Sequence, residues 1–150
     1  MTRKQAPARR RWPAQPPRGL RPKLAPGQVL DLSLVHHINL DTVVTGQADG
    51  TVLWHLMGGA LTWSHVASKL GHGEQAMAEQ LQMLEAVAAR FIKTGRVGFT
   101  GLEYQTAKRG VMLQDELAAA VDQQTAIEAA LWSEQRINQM FGQQDDQQAA

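Results

Sequence analysis

Residues 74–93 read EQAMAEQLQMLEAVAARFIK, and within them Met77, Leu81, Leu84, Ala88 and Phe91 fall at steps of four, three, four and three. That spacing returns to one side of an α-helix at every turn, so the stretch predicts a helix with an apolar stripe turned towards a partner helix. No proline interrupts it, and Thr94-Gly95 supplies the stop. The fold is decided by what packs against this stripe.

Working downstream, Arg96, Val97, Gly98 and Phe99 make a short link to Thr100-Gly101-Leu102-Glu103. Thr100 and Glu103 have the spacing of a capping box, in which each side chain satisfies a free amide of a new helix. From Leu113 onward the inward positions are expected at Leu117, Ala120, Gln124, Ile127 and Leu131. A second such box at Thr125 and Glu128 leaves two alternatives: the helix restarts near Ala126, or runs on to about Phe141. Gly142 is then the stop.

Working upstream, residues 28–45 carry recurrent Leu, Val and Ile and end at Gly46, which predicts a helix, with a strand over residues 29–35 as the lesser alternative. Asp49 is placed to cap a helix over residues 51–57. Gly58-Gly59 is expected to break or bend it, because each glycine costs about 1 kcal/mol relative to Ala in a helix. A further helix over residues 62–70 ends at Gly71-His72-Gly73. The fold class is all-α: a single domain of about five antiparallel helices around one core.

Charge divides the chain. All six prolines lie in residues 1–26, with eight of the fifteen Lys and Arg and none of the fourteen Asp and Glu. Residues 1–26 therefore carry +8, and the other 124 carry seven cations against fourteen anions, or −7. Proline fixes φ and removes amide donors, so residues 1–26 are expected to be a disordered or polyproline-like basic arm, residues 27–142 the helical domain, and residues 143–150 a disordered polar tail. The arm's cations are Arg3, Lys4, Arg9, Arg10, Arg11, Arg18, Arg21 and Lys23, with Trp12 directly after the Arg triplet. Guanidinium groups clamp phosphates bidentately and an indole stacks on an unpaired base, so these nine residues are the candidate nucleic-acid-binding set. A solubilising tail folding back on the acidic body is the plainer alternative.

With no Cys there is no disulfide framework, thiolate zinc site or Cys nucleophile. No signal-peptide core or membrane-length apolar run occurs, which favours the cytoplasm and no membrane partner. Other chemistry is equally thin. His36 and His37 are neighbours pointing about 100° apart, and His37 with Asp41 has helix spacing for a hydrogen-bonded pair but makes no metal site. Gly95, Gly98 and Gly101 lack the Gly-Lys-Ser/Thr of a phosphate loop. Ser64-His65 has no nucleophile elbow, and Asp115 and Glu116 point to different faces. No enzyme, cofactor or metal is expected.

The segment TWSHVASKLG, residues 62–71, has the small residue (Ala67) and glycine (Gly71) of a helix-turn-helix, with Met77 fitting downstream. His72 and Gln80 stand where apolar residues are expected, and Glu74, Glu79 and Glu85 precede the next helix's only cations, Arg90 and Lys93. An acidic leading turn repels phosphate. More broadly, residues 34–141, including LVHHINLDTV, GGALTWSHVASKL and KTGRVGFTGLEYQTAKRGV, resemble small helical proteins of bacterial genomes and mobile elements labelled Fis-like regulators. That resemblance implies DNA binding and carries no catalytic residues.

The leading expectation is a non-enzymatic nucleic-acid-binding accessory or regulatory protein acting through its basic arm, its body self-associating or adding a weak helix-turn-helix contact. The alternative is a protein–protein adaptor or inhibitor whose body docks a partner. Trp54, Trp63, Trp132 and Tyr104 separate the two: buried they are core, exposed together with Met57 or Met140 they form a patch.

Overall fold

The computed structural model describes the backbone of residues 21–148 and the side chains of residues 21–139. Five helices follow in order: α1 (Pro26–Val44), α2 (Gly50–Leu70), α3 (Glu74–Thr94), α4 (Gly101–Ala120) and α5 (Gln123–Gln148). Among the described residues there is no strand, only an isolated antiparallel bridge between Lys23 and Asp122. None of these helices is long and apolar enough to cross a membrane.

Local chemistry sets most boundaries. Asp49 accepts from the amides of Thr51 and Val52 at the start of α2, and Thr100 and Glu103 exchange hydrogen bonds with each other's amides at the start of α4. Gly71 and Gly95 end α2 and α3 in the left-handed region, at φ 65° and 69°, where a side chain would be strained. Pro26 belongs to α1 rather than to the arm: at the first helical position its missing amide costs nothing.

Four expectations need correction. Gly58-Gly59 does not break α2, which is continuous over 21 residues. These glycines let neighbours approach: a Cβ on Gly59 would sit 3.0 Å from His36 Cε1, and one on Gly58 3.6 Å from Ile137 Cδ1. The α4–α5 break falls at Val121-Asp122, earlier than Thr125. There Asp122 caps α5, accepting from the Thr125 amide at 2.9 Å and hydroxyl at 2.7 Å. This break rotates the inward face onto Val121, Thr125, Ala129 and Ser133, leaving Ala120, Ile127 and Leu131 exposed and Gln124 half-buried. Gly142 does not stop α5, which continues to Gln148.

α2 is the hub, packing on α1, α3, α4 and α5. Met77, Leu84 and Val87 of α3 bury against Trp63 and Val66 of α2 and Val111 and Leu117 of α4 in one core, each such side chain contributing about 1.5–3 kcal/mol on leaving water. Gln80 is buried among them, its Oε1 accepting from Gln114 Nε2 at 2.9 Å. Gly110 makes room for this pair, since a Cβ there would overlap the Gln80 carboxamide. The α3–α4 corner is closed by Arg90, which forks onto Glu103 at 2.7 and 3.3 Å and also donates to the Gly98 carbonyl.

Candidate functional site

α1 and α5 both lean on α2, yet their backbones do not approach each other. The gap is a trough built of two adjoining clefts, of about 400 Å³ and 550 Å³, that share His36, Gly59 and Thr62. One wall is Leu32, Val35 and His36 of α1; the other is Ala126, Ala130 and Ile137 of α5; Leu24 stands at one end and Trp54 at the other. The side chain-free Gly58 and Gly59 deepen the floor. Apart from the histidines, Glu134 is the single titratable group along the walls of these two clefts.

Two polar contacts fix the trough's shape. Trp63 Nε1–H donates to His36 Nε2 at 2.9 Å, so the His36 ring must offer a lone pair there, which requires the neutral form. Burial pushes the His36 pKa down; Asp115 pulls it back and His37 adds to the lowering. The Thr62 and Ser133 hydroxyls meet at 2.7 Å and tie α2 to α5.

Outside the trough, Leu30, Leu34 and Ile38 of α1 are between 48% and 60% exposed, interspersed with exposed Asp31 and Asp41. The aromatic residues divide: Trp63 is buried and Tyr104 packs half-buried on the core, whereas Trp54 and Trp132 are exposed, Trp132 stacking on His65 at 4.7 Å between ring centroids. Met57 is half-buried, and the Met140 side chain lies outside those described.

The arm's root is held at the Leu24 end of the trough. The Pro22 carbonyl accepts from the Gln123 amide at 2.9 Å and the Lys23 carbonyl from Gln123 Nε2 at 3.3 Å. Arg21 lies close enough to act on Asp122: burial raises that carboxyl's pKa, but the Thr125 hydrogen bonds and then the Arg21 charge outweigh it and hold it below the usual range. Residues 21–26 are thus a docked root, not part of a disordered arm, and Arg21 is already engaged by the body. Lys23 is exposed. Arg3, Lys4, Arg9, Arg10, Arg11, Trp12 and Arg18 lie outside the described residues, as does the disorder expected of residues 1–20.

The remaining sequence candidates have structural partners. His37 donates from Nε2 to Asp115 at 2.8 Å, across α1 to α4, and not to Asp41; Ser33 donates to the same carboxylate at 2.7 Å. Asp115 and Glu116 do point apart, Glu116 meeting His72 at 3.3 Å. Ala67 is buried and Gly71 is left-handed, as a helix-turn-helix would need. The outward side of α3, however, presents Glu79 and Glu85, and Arg90 is committed to Glu103. The trough and the His36–Trp63 pair, 27 residues apart, had no local signature in the sequence. Asp122 had one, as a capping residue three before Thr125.

The arrangement is a five-helix domain with an apolar cleft between α1 and α5. No family model, curated protein or solved structure matches the chain, and nothing in these comparisons links it to Fis-like regulators.

Proposed function

We propose that this protein is a non-enzymatic binding protein that holds nucleic acid through its basic arm, the helical body anchoring that arm and presenting it from one corner. The observation that carries the reading is charge segregation, +8 without one acidic residue over residues 1–26 against −7 over the rest. The body's own anions repel phosphate, so affinity falls to the arm. With Arg21 engaged by the body, six or seven phosphate contacts give a log–log salt slope of about −5 to −6 on duplex DNA. Gel-shift titrations over a salt series test it. The variant Arg9→Gln, Arg10→Gln, Arg11→Gln should flatten the slope by about 2.5 to 3. An unchanged slope removes the arm from the account.

A second reading, docking of a protein partner by the body, is favoured by the trough and the exposed aliphatic side chains of α1. Mild co-purification separates the two, because the first delivers nucleic acid and the second a defined protein.

A further inference from the structure

We infer that the deep part of the trough is a binding site for a neutral, largely hydrocarbon small molecule whose carbonyl oxygen accepts a hydrogen bond from His36 Nδ1–H. The inference concerns the helical body and stands whatever the arm holds.

The cleft between Leu24 and Gly59 measures about 400 Å³, within the range of small-molecule sites. It ends on the core: Trp63 and Val66 line it although they are only 3% and 0% exposed. A bottom that narrow suits a small molecule and not a helix, which with its side chains is about 10 Å across. The walls are hydrocarbon, from Leu32 on α1 and from Ala126, Ile127 and Ala130 on α5. No Lys, Arg, Asp or Glu stands among the residues lining this cleft. A charged ligand would therefore lose its hydration there without gaining a counter-charge. The occupant selected is neutral and mostly apolar.

Deep in the cleft one donor is left for it. The Thr62 hydroxyl is engaged by the Gly58 carbonyl and by Ser133. Trp63 donates to His36 Nε2, so the neutral ring carries its proton on Nδ1. His36 is only 9% exposed, and its Nδ1 forms no hydrogen bond among the described residues. A buried donor without an acceptor carries a desolvation penalty that an acceptor on the ligand removes. Gly59, at the floor of the cleft, leaves this edge of the ring uncovered: a Cβ there would stand 3.2 Å from Nδ1 and 3.0 Å from Cε1. A carbonyl oxygen is the acceptor that fits a single N–H between apolar walls. A hydroxyl would bring a hydrogen of its own and find nothing deep in the cleft to receive it.

Methyl naphthyl ketone, titrated into the full chain and followed by amide NMR, is the test. Saturable binding is expected, with a dissociation constant on the order of 0.1 mM for an apolar ligand of that size. The amides of Gly58, Gly59, Ala126 and Ala130 should shift, and those of the exposed Ala86 and Ala89 on α3 should not. Ala130→Phe, which fills the cleft from an exposed position, should weaken binding by more than about tenfold. Ala89→Phe should leave it unchanged. With its carbonyl carbon isotope-labelled, the bound ketone should resonate downfield of its position in cyclohexane, as a hydrogen-bonded carbonyl does. The shift map needs no substitution, so it decides the matter even where Ala130→Phe disturbs α5. Absence of saturation up to the solubility of the ketone, or shifts centred outside the trough, overturns the inference and returns the trough to a macromolecular partner. A bound carbonyl that resonates as it does in cyclohexane overturns the role of His36.

Discussion

The two flanks of α2 are built to different standards. On the α3–α4 flank, Met77, Leu84 and Val111 are fully buried, the Gln80 and Gln114 amides pair inside the core, and Arg90 locks the corner through Glu103 and Gly98. On the α1–α5 flank the helices stand apart, a trough runs between them, and Leu30, Leu34, Ile38, Ile127 and Leu131 face water. One side of α2 is thus closed by its neighbours and the other left open. Strong internal closure is what a scaffold needs; an open apolar side is what a binding surface needs.

The contrast is broken most forcefully from the closed flank. Leu84→Ala should cost about 2–5 kcal/mol in urea unfolding, since the core around it has little freedom to collapse into the cavity. Gly110→Ala should cost about 1–3 kcal/mol by forcing the Gln80 carboxamide off Gln114, an effect far larger than a single methyl would have on an exposed helix.

On the open flank the effects are smaller and of another kind. Trp63→Phe should cost about 1–2 kcal/mol by leaving His36 Nε2 without its donor. Acid should act on the same pair. The His36 pKa is below its ordinary 6.5 in the folded protein, so the unfolded chain binds the proton first. Stability from this group is complete above about pH 6.5 and is lost as pH falls through the folded-state value. His65, lowered by partial burial and then by Lys69, contributes in the same direction. Thermal melting should therefore drop between pH 7.5 and pH 5, and His36→Gln should reduce the drop. Leu34→Glu should shift stability by no more than about 0.5 kcal/mol, the smallest effect of the series, because that side chain is already 48% exposed.

The sequence made the closed flank readable and the open one opaque, for a physical reason. The four-three stripe of α3, the capping box at Thr100 and Glu103, the Asp49 cap and the stops at Gly71 and Gly95 all act within one or two turns, where spacing alone defines the interaction. The continuity of α2 does not. Its Gly58-Gly59 pair costs helix propensity locally and is offset by His36 and Ile137 closing in from other helices, a gain invisible to propensity. The same limit explains Ile127 and Leu131. Helical spacing identifies an apolar side but not whether the chain itself supplies the cover, and a cap at Asp122 rotated that side outward. His37 chose Asp115, 78 residues away, over Asp41 on its own helix, a choice made by packing of α1 on α4.

Hydrogen exchange followed residue by residue tests the difference between the flanks most directly, because it reads local stability on both in one experiment. The account predicts that amides of α3 and α4 are protected more strongly than those of α1. Protection of α1 as strong as that of α3 would contradict it.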